Sequence, residues 1–259
     1  MKFENNMPAT AVHYIELQPR THDLILGTHG RGIIILDDIS PLRQISDEVI
    51  AEEIHFMEMP KFYMDEESTF GGTSGETQFV GANPSTGARI AYYMAKRHTF
   101  GKMRMKVLDK DGNYVASLSP RKNKGLNLVY WNFNSSAPKT AGGKTISRGG
   151  FFASRVPAGT YTIVIEKGKK TFQTTIDVEY PKKSVFSLEE RKRQEATTKE
   201  LYDLNEELAY LVYELEQWTK HATVLMKTQT KLAKSGGKLV NSMETLRKDL
   251  VITTGDNYV

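Results

Sequence analysis

The groups in this chain that could do chemistry are its histidines, a few carboxylates and some glycine-rich stretches. The six histidines, His13, His22, His29, His55, His98 and His221, are scattered, and none belongs to an H-E-x-x-H pair. No carboxylate cluster has metal-ligand spacing, so neither a metal nor a cofactor is expected. Ala141-Gly142-Gly143-Lys144-Thr145 matches the end of a phosphate loop, but the first glycine of G-x-x-x-x-G-K-[ST] falls on Pro138. Gly72-Thr73-Ser74-Gly75-Glu76 lacks the last glycine of a G-x-S-x-G elbow. Asn134-Ser135-Ser136 fits a glycosylation sequon and is read as a chance match.

Asp37 and Asp38 are the most suggestive pair. Glycoside hydrolysis needs two carboxylates facing each other across the scissile bond, about 5 to 10 Å apart. Neighbours on one strand point to opposite faces, so these two cannot both face one sugar. Their expected role is to shape a turn or accept from backbone amides. His29 and Arg31 sit at a hairpin tip and could hold an anion; the simpler reading is that the arginine pairs locally and holds the turn. No catalytic, cofactor-binding or metal-binding residue is therefore assigned.

The element that must position these groups is Asp23 to Asp38, DLILGTHGRGIIILDD. Two apolar runs, Leu24-Leu26 and Ile33-Leu36, flank Gly30-Arg31-Gly32, the pattern of a buried hairpin. Val12 to Leu17 alternates as one further strand, and Pro19 to His22 makes the turn between them. Such a hairpin needs more strands or a helix on its apolar face. Ile45 to Pro84 reads as a connector, with apolar Ile54, Phe56, Met57 and Met59 able to form an entering strand and with Ser68 to Gly75 flexible by composition. Strands are then expected at Ala88–Ala95, Lys102–Leu108, Tyr114–Leu118, Leu126–Phe133, Thr160–Glu166 and Thr171–Glu179. Their period-2 alternation and turn-marked spacing argue for a sandwich. Trp131 is read as a core anchor rather than a sugar-stacking platform.

From residue 187 the period changes. Ser187-Leu188-Glu189-Glu190 is a capping box. Leu201, Leu204, Leu208, Leu211, Leu215, Trp218, Ala222, Leu225, Gln229 and Leu232 step by three and four, a sustained coiled-coil-like seam. Gly236-Gly237 is expected to end this helix after about 45 residues. Leu239, Met243, Leu246 and Leu250 restart the seam in a shorter arm. An arm so short cannot cover the first, so the long helix is expected to break near Thr197-Thr198 or Thr219, or a further segment is missing beyond Val259. An uncovered seam could also self-associate.

Composition sets wide bounds. The 259 residues are 39% hydrophobic and 25% charged, with net charge +4 and no cysteine. That is a globular composition of about two domains, without disulfides. No apolar run approaches the roughly 18 to 20 residues of a membrane span, and no signal-peptide core is visible. The basic residues are spread through the chain, so nucleic-acid binding is not expected.

Asn5-Asn6-Met7-Pro8, the strand after it and DLILGTHGRGIIILDDISPLRQ resemble the closing blade of β-propellers with neuraminidase-type Asp-box repeats. They are most similar to the bacterial sortilin-like "glycosyl hydrolase" propellers, whose last blade carries G-T-H-G-R-G-I-x-x-L-D-D. The matching residues are Gly27 to Ile33, Leu36, Asp37 and Asp38; Ile34 replaces an aromatic, and no S-x-D-x-G-x-x-W box is present. Gly125-x-Asn127-x-x-x-Trp131-Asn132, followed by Pro157-Ala158-Gly159-Thr160-Tyr161, resembles the Ig-like domain of flagellar hook-capping proteins, which also follows many secreted bacterial enzymes.

These resemblances imply a multidomain chain, mainly β and then α: a partial β-propeller blade (1–46), a connector (47–84), an Ig-like β-sandwich (85–181) and a truncated C-terminal helical hairpin (184–259). The implied protein is periplasmic or extracellular. The chain would be a non-catalytic structural or interaction region bracing the rest of the propeller and binding protein or glycan. The alternative is one wall of a glycoside hydrolase, xyloglucanase-like or sialidase-like, with its catalytic carboxylates mostly outside this chain. The arginine cluster and tyrosine nucleophile of sialidases have no place on these residues.

Overall fold

The computed structural model describes residues 7–64, 87–142 and 153–251. The Gly72-Glu76 stretch, the Ser68–Gly75 segment, Asn5-Asn6 and Gly143 to Thr145 lie outside them. The chain is a succession of β-sheets followed by a C-terminal helix pair. No described helix is long and apolar enough to cross a membrane. Two compact units are distinguished: 7–62, 87–132 and 160–178 form one, and 63–64, 133–142, 153–159 and 179–251 the other.

The first unit opens with three antiparallel strands, β1 (Val12–Leu17), β2 (Leu24–Thr28) and β3 (Ile33–Leu36), in the order β1-β2-β3. The pairing of Ile15 with Leu26 and of Leu26 with Ile34 puts Ile15, Leu17, Leu24, Leu26, Ile34 and Leu36 on one face. Tyr14, Ile25, Ile33 and Ile35 share the other. Both faces carry bare apolar groups: Ile15 is 65% exposed on the first and Ile33 72% on the second. Only Leu26 of these strands is buried.

Two short helices follow, α1 (Ser40–Arg43) and α2 (Asp47–Ala51); Ser46 caps α2 by accepting from the Val49 amide at 3.4 Å. Next come β4 (Ile54–Phe56), β5 (Phe62–Tyr63), β6 (Ala88–Met94), β7 (Met103–Leu108), β8 (Tyr114–Leu118), β9 (Gly125–Trp131), β10 (Gly159–Lys167) and β11 (Lys170–Glu179). They form a sheet ordered β4-β6-β9 and another ordered β5-β11-β10-β7-β8. The expected strands are present within one or two residues at each end. The entering strand foreseen in the connector is β4, which pairs with β6.

β6 is buried on both faces. Ala88, Ile90 and Tyr92 share a face with Trp131 and Val129, and the Trp131 ring meets the Tyr161 ring of β10 edge-on at 5.1 Å. This contact links the two sheets. On the opposite face, Ala91 and Tyr93 pack with Val49, Met57, Leu126 and Leu128. The alternation of β7 and β10 does what its period dictates: Met103, Met105 and Val107, with Tyr161, Ile163 and Ile165, are buried.

In the second unit, Ser187 and Glu190 form the expected reciprocal cap of α3 (Leu188–Thr228, 41 residues). At 1.5 Å per residue this helix is about 60 Å long. It runs unbroken through Thr197-Thr198 and Thr219, which corrects the breaks considered there. It ends where Gln229 turns extended; one 3-10 turn, Thr230–Leu232, leads into α4 (Ala233–Leu250).

Gly236-Gly237 therefore does not end the first helix. It lies inside α4, and the reason is steric. A Cβ on Gly236 would sit 2.5 Å from the Met226 Cγ, so glycine here permits close helix approach rather than a cap. Apart from Met243, the facing residues also differ from the leucine seam. Glu216 pairs with Arg247 at 2.9 Å, the Thr219 hydroxyl meets the Met243 sulfur at 3.7 Å, and Val212 is the one buried residue of α3.

Candidate functional site

Two places bring polar groups together in ways that bear on function. The first is the Gly-Thr-His-Gly-Arg-Gly turn. Gly30 and Gly32 have φ of 73° and 74°, a region that glycine enters without a Cβ clash. The Thr28 hydroxyl and amide both donate to the Gly32 carbonyl, at 2.6 and 3.1 Å. The His29 ring stacks on His13 at 5.2 Å, a proximity the sequence did not reveal. Arg31 and His29 are exposed, and no described carboxylate lies within ion-pair reach of Arg31. The motif residues thus serve the turn, although the local pairing expected for Arg31 is not among the described contacts.

Asp37 and Asp38 part company beyond the end of β3. Asp37 is exposed. Asp38 takes a positive φ of 38°, and its Oδ1 accepts from the Ser40 amide at 3.0 Å. Its Oδ2 is ion-paired with the Arg89 guanidinium on β6, while its own amide donates to Asp23 Oδ1 at 2.8 Å. Arg89 also donates to the Asp38 carbonyl at 3.2 Å and the Asp37 carbonyl at 3.4 Å. This carboxylate, committed to an arginine and one turn amide, has the structural role expected of it.

The second place is an open groove of about 680 Å³ in the helical unit. Its floor is α3, through Ala209, Tyr210, Val212, Tyr213 and Glu216, and its wall is the segment 137–142. The Lys139 amide donates to Glu206 Oε1 at 2.7 Å. The Lys139 amine bonds the Tyr210 hydroxyl and lies 4.3 Å from the centre of that ring. Bonding to the Tyr210 hydroxyl holds the amine protonated above its usual range. A lysine so held is a cation, not a Schiff-base nucleophile. Neither Lys139, Tyr210 nor Tyr213 was singled out from sequence; two tyrosines three apart on a helix are the only signal they leave.

Other groups are likewise tied down. Tyr92 is buried, donates to the Arg121 carbonyl at 2.5 Å, and burial pushes its phenol far up. Burial, and then the bond to Glu195, raises Tyr180. Neither phenol is poised as a nucleophile. Trp131 is 2% exposed and cannot stack on a sugar. Asn127, the buried polar residue of the Gly-x-Asn motif, donates to the Asn123 and Gly125 carbonyls at 2.8 and 2.9 Å and pins the loop ahead of β9. Among the described residues no group of three or more His, Asp or Glu could hold a metal ion.

No family model, no curated protein and no solved structure matches this chain.

Proposed function

We propose that this chain is a non-catalytic structural region of an exported, sortilin-like β-propeller protein, and that β1, β2 and β3 are strands of one of its blades. The observation that carries this reading is the three-stranded sheet with apolar residues bare on both faces. Most small sheets are apolar on one face only. A propeller blade is the exception, because a neighbouring blade covers each face, and a blade typically holds four strands rather than three. Ile15 on one side and Tyr14, Ile33 and Ile35 on the other are what two neighbouring blades would cover. The two sheets around Trp131 and Tyr161 then serve as the Ig-like module of the same protein. Export, and a periplasmic or extracellular address, rest on the sequence resemblance alone.

The glycoside hydrolase alternative finds less support. Its chemistry needs two carboxylates across a cleft. The groove is lined by one, Glu216, and that one is held by Arg247 at 2.9 Å. A protein or glycan ligand remains compatible with the exposed Tyr213 in the groove.

The test is to express the chain with its upstream reading frame and compare both forms. The expected result is that proteolytic cutting within 12–36 occurs in the short form and is suppressed in the long one. Equal cutting in both would contradict the blade assignment. Release of glycan by the 259-residue chain alone would contradict its non-catalytic role.

A further inference from the structure

The helix pair leaves one face bare, and the contacts define that face. Glu216, Thr219 and Met226 of α3 meet Arg247, Met243 and Gly236 of α4. Leu215, Trp218 and Leu225 each stand one position before one of these α3 residues. Leu246 stands one position before Arg247, and Leu239 lies a heptad earlier. In an antiparallel pair, stepping one residue back on either helix turns the side chain about 100° from the contact, toward the same side of the pair. The two leucine rows therefore merge into one face.

That face is open. Leu201, Leu204, Leu211, Leu225, Leu239 and Leu246 are about half exposed, and Trp218 is 62% exposed. Together they form one apolar row along both helices, the kind of exposed patch that marks an interaction surface. We propose that this face takes the same face of a second copy of the chain, so that two helix pairs complete a four-helix bundle. The three-four spacing from Leu201 to Leu225 is the packing repeat of such bundles, and a two-fold axis pairs a patch with itself.

Charge favours a second copy over a foreign helix. Glu200, Glu207 and Glu214 flank the α3 row, each one position before Leu201, Leu208 and Leu215. On the corresponding side of α4 and the turn before it stand Lys231, Lys234 and Lys238, with Asp249 at the far end. Two α3 flanks side by side would repel, whereas α4 of one copy beside the α3 flank of the other joins base to acid. This inference does not depend on the propeller reading; it stands for any parent protein.

Sedimentation equilibrium of the full chain at micromolar concentrations is expected to give a dimer. Replacing Leu211 and Trp218 together by Glu is expected to weaken it roughly a hundredfold or more, the scale of losing a central aromatic anchor. Both positions are exposed in one copy, so far-ultraviolet circular dichroism should be unchanged. Because the chain has no cysteine, Leu211→Cys, exposed in one copy, should become protected from a thiol reagent as the dimer forms, and Tyr213→Cys, on the opposite side of α3, should not. A monomer at every concentration, a dimer unaffected by the double substitution, or equal protection of Tyr213→Cys would each overturn the proposal.

Discussion

The two sheets around Trp131 and the helix pair solve the problem of apolar surface in opposite ways. The sheets bury their own: Ile90, Tyr92, Met105, Val107, Ile163 and Ile165 are almost fully enclosed. The 41 residues of α3 bury one side chain, Val212, and α4 buries none. A sheet closed by a second sheet needs nothing more, because each alternate residue already faces a partner. Two helices meet along one narrow stripe each, and the rest of an apolar face waits for something else. The strands β1 to β3 belong with the helices in this respect, since they too keep apolar residues in water.

Substitutions should separate the closed region from the open ones. The largest effect is expected from Trp131→Ala, about 3–5 kcal/mol in urea unfolding, because its ring seals the contact between sheets. Gly87→Ala comes next, at about 3 kcal/mol, because its new Cβ would lie 2.6 Å from the Trp131 carbonyl oxygen, which belongs to a paired strand and cannot yield. Gly236→Val should cost less, about 1–2 kcal/mol and chiefly in the melt of the helix pair, because the flexible end of Met226 can move aside. A loss from Gly236→Val as large as from Trp131→Ala would erase the contrast.

Glu53 gives a pH-dependent version of the same test. Lys167 at 2.8 Å and Lys170 at 2.5 Å hold its carboxyl down to about 2, from an ordinary 4.5. A depressed folded value means the contribution is complete above pH 4.5 and is lost as pH falls toward 2. The side chain is 37% exposed, so solvent screening leaves about 1 kcal/mol. Unfolding measured across that range should lose this increment in the native chain and not in Glu53→Gln. The smallest effect is expected from Leu204→Ala, within about 0.5 kcal/mol in the dilute chain, since it is 53% exposed there.

Much of the fold was legible because period-2 alternation reports which face of a strand is buried. All six expected strands from Ala88 to Glu179 are present, and Ser187 with Glu190 marked the start of α3. What misled was Gly236-Gly237. A glycine pair reads as a helix end, and nothing local distinguishes that from a glycine needed where Met226 of another helix approaches. The leucine seam misled for a related reason: spacing reports a shared face, not what covers it. At the candidate site, Asp37 and Asp38 lie beyond the end of β3, so they part through the turn at Asp38, with φ of 38°, and not through the strand alternation expected of them; Arg89 as the partner of Asp38 was hidden because the two are 51 residues apart. The stacking of His13 on His29 was hidden for the same reason.

Native-state hydrogen exchange on the 259-residue chain tests the central contrast most directly. Amides of β6, from Ile90 to Met94, are expected to exchange only through global unfolding, and those of β2 and β3, from Leu24 to Leu36, at least roughly a hundredfold faster through local opening. Equal protection of the two segments would mean that β1 to β3 are already complete within this chain, and would contradict the account.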